Sequence, residues 1–237
     1  MTLQLAYMGL TLLMNIILIM FGFKAIKSFD NSSKEKNKKT ILIISLLVWQ
    51  VYVFLISKSG ILNNFDFPPR FFLFLVLPLF VFTAIFIYKN RKNNWIDHIP
   101  AKWLFYYQSF RILIESIFVA SVAQGILHEL VTIKGYNFDM IYAFTIPVIG
   151  FVIFQKKVAS IKLAIFWNYL GLAIIVSIIF LFLTSVFAPQ MYGSDTNMLP
   201  VAAVSYPYTL VAGFLMPSAV FVHILSIVQL NRMKRTS

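Results

Sequence analysis

The chain of 237 residues contains no cysteine. This absence excludes disulfide bonds, thiolate metal ligands and a cysteine nucleophile. Charge is also scarce, since 12% of the residues are charged, about half of the roughly 25% that is typical of soluble globular domains. Acidic residues are the rarest, at 8 against 20 lysines and arginines, while 60% of the chain is hydrophobic. This composition favours a polytopic membrane protein.

The apolar residues are grouped into seven blocks, and a membrane-spanning helix needs about 20 of them. The first block does not resemble a signal peptide, because no basic residue precedes it and its apolar run is too long. We therefore predict an all-α polytopic membrane protein, a seven-transmembrane-helix bundle that forms a single domain over residues 1–237. The predicted spans are at about 3–23, 40–56, 70–88, 101–127, 138–155, 161–187 and 201–230.

Proline and glycine interrupt several of these blocks. Pro68 and Pro69 suit the first turn of the third span, where a missing N–H costs little. The fifth and seventh blocks contain Pro147, Pro207 and Pro217. Such breaks could merely kink helices, but broken helices in two corresponding halves also mark transporter sites. A three-plus-one-plus-three layout would match the parallel repeats of some sugar transporters, although 3–88 and 138–230 show no convincing repeat in sequence.

The basic residues predict the orientation of the chain. If the seven spans alternate, sixteen of the 20 lysines and arginines lie on one side. The positive-inside rule then places the N-terminus outside and the C-terminus in the cytoplasm, in the bacterial plasma (inner) membrane. These residues would face anionic lipid headgroups. The lipid bilayer is therefore the predicted partner, and nucleic acid is not.

Polar side chains inside the predicted spans indicate a candidate binding site. A charged residue at the centre of a bilayer costs at least about 2.5 kcal/mol unless it is paired or hydrated. At a rise of 1.5 Å per residue, Arg111 and Glu115 lie roughly 12 to 18 Å from the cytoplasmic end of their span. Polar residues of other spans fall near the same depth, so we expect an intramembrane cluster that could bind a small molecule or an ion. Its members are Asn15, Gln50, Gln108, Arg111, Glu115, Trp167, Asn168 and His223.

Structural explanations compete with this interpretation. Arg111 and Glu115 are four residues apart on one helix and could neutralise each other. Asn168 and His223 could simply form hydrogen bonds between helices.

A second polar group is expected at the outer side, where it could lock loops or bind a ligand: Asp66, Arg70, His128, Glu129, Asn137 and Asp139. The triplet Asn-Phe-Asp occurs there twice, at 64–66 and 137–139, and suits helix N-caps. His128-Glu129 does not form an HExxH zinc motif, because Thr132 stands where the second histidine would be. The sequence therefore predicts neither a metal site nor a catalytic residue.

Several segments together resemble a family of uncharacterised bacterial multi-pass membrane proteins of the Bacteroidetes type. The segments are FPPRFFLFLVLPL, QSFRILIES, HELVTIKGYNFDMIYAFTIPVIGF, FWNYLGL and YPYTLVAGFLMPSAVFVHILSIVQL. The resemblance implies a shared pattern at Arg111, Glu115, 137–139, Trp167, Asn168 and His223. That family often has a histidine where this chain has Gln108. The resemblance implies no activity.

Three classes of function remain open from the sequence. A small-molecule or ion transporter, or a membrane binding protein, fits the polar cluster and the broken helices best. A membrane-embedded enzyme or cofactor-binding protein is an alternative, since Arg111, Glu115 and His223 could supply acid–base groups. The cofactor is unknown, and no nucleotide-binding loop or GxSxG motif is present. A seven-helix sensor or accessory subunit is the other alternative, but 201–230 contains no lysine for a retinal Schiff base.

Overall fold

A computed structural model describes residues 2–27 and 32–236 of the chain. Within these residues the protein is 79% helical and contains no strand, which confirms the all-α prediction. The α-helices are α1 (Thr2–Ile26), α2 (Ser32–Lys58), α3 (Leu77–Asn90), α4 (Ala101–Tyr107), α5 (Phe110–Ala123), α6 (Asp139–Gly150), α7 (Ile161–Phe187) and α8 (Met216–Thr236).

Three π-helical turns continue these helices. One precedes α3 (Phe72–Val76), one follows α6 (Phe151–Gln155) and one precedes α8 (Val211–Leu215). Among the described residues, five helices are long and apolar enough to cross a membrane: Thr2–Ile26, Lys34–Lys58, Phe72–Asn90, Ile161–Phe187 and Val211–Lys234. Asp139–Gln155 is a shorter apolar helix.

The predicted fourth span, 101–127, is divided in the structure. The backbone N–H groups of Gln108, Ser109, Arg111 and Ile112 donate to carbonyls three residues earlier instead of four. This tight turn separates α4 from α5. The sequence has neither proline nor glycine at this point, so it carries no signal for the break. The helix also ends at Ala123, four residues before the predicted end.

The seventh helix begins later than predicted. Residues 201–204 form a separate 3₁₀ turn, and the helical ladder resumes only at Leu210. Pro207 has no N–H group and disfavours a helical conformation at the residue before it, which explains the late start. Likewise, Pro68 and Pro69 precede the helix that starts at Arg70 instead of lying in its first turn.

Two side chains of α2 bind carbonyls that prolines leave free. Pro217 cannot donate to the carbonyl of Gly213, and Trp49 Nε1 donates to that oxygen at 2.6 Å. Pro78 cannot donate to the carbonyl of Phe74, and the hydroxyl of Tyr52 donates to it at 3.0 Å. An unsatisfied carbonyl in an apolar environment costs free energy, so α2 stabilises both interrupted helices.

The two interrupted helices repeat one pattern. In each, a proline after a cis peptide bond is followed four residues later by a π-helical turn and ten residues later by a second proline. The prolines are Pro68 and Pro78 in one segment and Pro207 and Pro217 in the other. The carbonyls that α2 binds also occupy equivalent positions, 139 residues apart. The two π-helical turns pack against each other.

The outer surface of the bundle is apolar. On α2, large apolar side chains are exposed from Ile41 to Leu55, including Leu47, Val48 and Val51. Soluble monomers rarely expose an apolar surface of this extent. By contrast, α8 lies inside the bundle and packs against α3, α4 and α7. The molecule therefore buries a set of polar side chains in its interior and exposes many large apolar side chains on its surface.

Candidate functional site

Arg111 lies at the centre of a buried polar cluster. It is 2% exposed, and its Nε donates to Asp139 Oδ2 at 2.9 Å while Nη2 forms an ion pair with Oδ1. Its Nη1 lies 3.2 Å from Nε2 of His223. The guanidinium carbon lies 4.7 Å from the centre of the Tyr142 ring. The arginine is thus neutralised by one carboxylate from α6 and held by α8.

The hydrogen bonds of His223 determine its tautomer. A guanidinium N–H can only donate, so Nε2 of His223 must accept from Arg111. The proton therefore resides on Nδ1, which donates to Asn168 Oδ1 at 2.9 Å. Asn168 in turn donates to the carbonyl of Ala164 at 2.7 Å. These contacts join α5, α8 and α7 through the charged side chain of Arg111 and the neutral side chains of His223 and Asn168.

Glu115 does not pair with Arg111, although their spacing along the helix would allow it. Both of its carboxylate oxygens accept from Nδ2 of Asn137, at 3.0 and 3.1 Å. The same nitrogen donates to the carbonyl of Val131 at 3.0 Å. Within the described residues no salt bridge involves Glu115. Glu115 is 2% exposed, so its carboxylate is buried with one neutral amide as its donor.

The segment 124–138 explains why Asn137 and Asp139 reach this cluster. After α5 the chain folds back along it and buries Leu127, Leu130 and Val131. Asn137 thereby contacts Glu115, which lies eight residues before the end of α5, about 12 Å at the helical rise. Asn137 Oδ1 accepts from the N–H of Asp139, the first residue of α6, at 2.9 Å. Consequently α6 begins inside the bundle.

The other Asn-Phe-Asp triplet forms the same turn without reaching the cluster. There Asn64 Oδ1 accepts from the N–H of Asp66 at 2.6 Å. The sequence groups six residues at the outer side, but the structure does not keep them together. Two of them, Asn137 and Asp139, contact Arg111 and Glu115 in the buried cluster. The remaining four are on the surface and contact their own loops: Arg70 donates to the carbonyl of Ile61, and His128 Nδ1 accepts from the N–H of Leu130. Glu129 is exposed.

The predicted intramembrane group is only partly assembled. Arg111, Asn168 and His223 are in direct contact, and Glu115 joins them through Asn137 and Asp139. The side chains of the other four residues do not join this hydrogen-bond network. Gln108 donates to the carbonyl of Ala219 at 3.1 Å, Trp167 donates to Thr145, Asn15 donates to the carbonyl of Thr11, and Gln50 Nε2 is buried without a hydrogen-bond partner in the described residues.

Neither charge nor depth in the sequence points to two further residues of the site. The hydroxyl of Tyr142 donates to the carbonyl of Trp167 at 2.8 Å, while its ring covers Arg111. Gly171 lies opposite, where a Cβ atom would be 2.5 Å from Cε1 of His223 and closer still to the Tyr142 hydroxyl. Only glycine leaves room for this contact between α6, α7 and α8.

A cavity of about 130 Å³ adjoins the charged cluster. Arg111, Glu115 and Asp139 line part of it, and mainly apolar side chains of α1, α5, α7, α8 and the segments before α3 and α8 line the rest. Along α7 the wall extends from Ile175 to Leu183, away from Asn168. Both π-helical turns contribute equivalent residues, Phe72 and Val76 from one and Val211 and Leu215 from the other. An apolar cavity of about 150 Å³ can hold benzene, so this space suits a small, mainly apolar molecule.

Among residues 2–27 and 32–236, no three histidine, aspartate or glutamate side chains are arranged to hold a metal ion. No protein-family model matches the chain, and neither a curated protein nor a solved structure matches it.

Proposed function

We propose that the protein is an integral membrane protein that binds a small, mainly apolar molecule in the cavity beside Arg111, as a transporter or a membrane binding protein would. The observation that carries this proposal is the combination of an apolar cavity with three buried charged residues at one end. Ionisable side chains inside a helical bundle are costly and usually mark a ligand or ion pathway. Most known ligand sites likewise combine apolar walls with a few polar groups.

The interrupted helices support the same class of function. Secondary transporters often contain Pro- or Gly-interrupted helices at corresponding positions of two halves, with the substrate site between them. Here the two segments that contain Pro68 and Pro78, and Pro207 and Pro217, share their proline spacing and both line the cavity. These segments belong to the third and seventh predicted spans. In a parallel repeat of three helices on either side of a central fourth helix, the third and seventh spans are equivalent, so their shared pattern fits such a repeat.

The proposed topology has seven membrane crossings, with the N-terminus outside and the C-terminus in the cytoplasm of a bacterial plasma (inner) membrane. The two crossings beyond the five long apolar helices are α4 with α5, joined by the tight turn at Gln108, and α6 with its π-helical turn. The asymmetry of the basic residues supports this orientation. The proposal also includes the resemblance to a family of bacterial multi-pass membrane proteins. The five sequence segments that resemble this family support it.

Binding of radiolabelled 1-octanol to the protein in phosphatidylcholine nanodiscs tests the proposed function. We expect saturable binding of one molecule per chain, above the amount that dissolves in the lipid. Ala212 lines the cavity, so Ala212→Phe should fill it and abolish the saturable part. Ala120 is exposed on α5, and Ala120→Phe serves as the matched control that retains binding. Equal binding by the wild type and Ala212→Phe would refute a ligand cavity.

A further inference from the structure

We propose that the cavity selects a molecule with a cationic head group, an amphipathic amine, and that Glu115 binds the ammonium group. This inference rests on the proposed function, because it specifies the ligand of the same cavity. It follows from the distribution of charge at the polar end of the cavity, where three charged side chains are present but only two of them are paired.

The charges of Arg111 and Asp139 cancel each other. Asp139 binds two nitrogens of the guanidinium group, and a third contacts His223. A ligand carboxylate would therefore have to compete with Asp139 for Arg111. His223 is held neutral, since its Nε2 accepts from Arg111 and its Nδ1 donates to Asn168. None of these three groups offers an unpaired positive charge to an anionic ligand.

Glu115 is the group without a counter-charge. Its carboxylate accepts from one amide nitrogen of Asn137, and that nitrogen uses its other hydrogen on Val131. A carboxylate can accept about four hydrogen bonds, so the two contacts with Asn137 leave about half of the acceptor capacity of Glu115 unused. A carboxylate is costly to bury without a counter-charge, and a cation bound beside Glu115 would supply the counter-charge that this side chain lacks.

The walls of the cavity favour an organic cation over a metal ion. Aromatic side chains of Tyr7, Phe110, Phe118 and Tyr208 line the same cavity, and aromatic rings attract ammonium groups. A bare sodium or calcium ion requires several oxygen ligands. The remaining lining is apolar and would surround the hydrocarbon part of an amine.

Four probes that differ mainly in their head group test this inference: octylamine, 1-octanol, octanoate and nonane. Binding is measured at neutral pH in nanodiscs of zwitterionic lipid, and binding to Ala212→Phe is subtracted as partition into the lipid. We expect octylamine to bind at least about tenfold more tightly than 1-octanol, and octanoate to bind most weakly. This comparison uses the wild-type protein, so it does not depend on the folding of a Glu115 variant.

The matched pair Glu115→Gln and Glu129→Gln then locates the effect. Glu115→Gln should reduce the affinity for octylamine to that for 1-octanol, whereas Glu129→Gln, at an exposed residue, should change the affinity for neither probe. If 1-octanol binds but octylamine binds no more tightly, or if Glu115→Gln retains the amine preference, the charge assignment is wrong and the cavity function stands. If no probe binds more to the wild type than to Ala212→Phe, the proposed function itself fails.

Discussion

The charge of Arg111 is compensated by residues of two other helices. Asp139 of α6 supplies the counter-charge, Tyr142 covers the guanidinium face, and His223 of α8 accepts one further hydrogen bond. Such a buried pair is costly to break on one side, because the remaining charge is left without compensation. The pair therefore determines how α5, α6 and α8 fit together.

Removing one member of this pair should destabilise the protein strongly. We expect Arg111→Met to cost about 3–5 kcal/mol, and Arg111→Met with Asp139→Leu to cost clearly less than the two single changes added together. Unfolding by denaturant in detergent measures both. Arg232→Met is the control, since its ion pair with Asp97 is partly exposed and should contribute about 0–1 kcal/mol. Additive effects at 111 and 139 would contradict the buried pair.

Gly171 should tolerate no side chain. Its missing Cβ leaves room for His223 and Tyr142, so Gly171→Ala should cost about 1–3 kcal/mol through overpacking. Gly9 is the matched control, because a Cβ there meets no atom within 4 Å. Thermal unfolding of both variants in detergent compares them directly. An equal and small effect at both positions would show that α7 does not approach α8 as closely as described.

At this scale the sequence predicts which residues are polar and buried but not all of their partners. Helical spacing places Arg111 and Glu115 on one face, and depth places Asn168 and His223 near them. The sequence does not reveal that 124–138 folds back along α5, because the composition of a loop does not indicate the direction in which the loop runs. Asn137 and Asp139 therefore remain at the predicted outer side, and Glu115 is given the wrong partner.

At the scale of helices, α2 has a role that its sequence does not indicate. Trp49 and Tyr52 donate to the carbonyls left free by Pro217 and Pro78. Proline positions are visible in the sequence, but the identity of the compensating donor depends on how helices pack. For the same reason the apolar runs predict most helices well, whereas the break at Gln108–Ser109 and the late start of the last helix are missed.

The contact between Tyr52 and Phe74 can be tested by restoring the missing backbone donor. Tyr52→Phe should cost about 0.6–1.7 kcal/mol, between the mean and the maximum for hydrogen bonds between membrane helices. In a Pro78→Ala background the cost should shrink, because the substituted alanine supplies a backbone N–H to the same carbonyl. Tyr88→Phe, at an exposed residue, is the control and should have little effect. An undiminished cost in the Pro78→Ala background would argue against this role of Tyr52.

At the scale of the whole molecule, the arrangement of polar and apolar surface is inverted relative to a soluble protein. Large apolar side chains cover the outside, while Arg111, Glu115, Asp139, Asn168 and His223 are 4% exposed or less. Lipid would cover the exposed apolar side chains, and the surrounding helices shield the buried polar ones. The composition alone predicts this class of protein, because long apolar runs have few alternatives.

The absence of native cysteine makes the proposed topology directly measurable. We expect Thr196→Cys, in the loop after α7, to react with a membrane-impermeant maleimide in intact cells. Lys92→Cys, in the loop after α3, should react only after the cells are permeabilised. Both residues are exposed, so accessibility to solvent is matched. The reverse labelling pattern would show that the orientation is opposite to the proposed one. Labelling of both cysteine variants in intact cells would exclude an odd number of membrane crossings between residues 92 and 196.

Photolabelling with a diazirine-bearing analogue of 1-octanol tests most directly whether the cavity beside Arg111 holds a ligand. We predict covalent modification of the cavity walls, between Ile175 and Leu183 of α7 and between Val211 and Met216, that excess 1-octanol suppresses. Mass spectrometry of the digested protein locates the modified residues. Modification confined to outward-facing residues such as Val48 and Val51, undiminished by 1-octanol, would contradict the account.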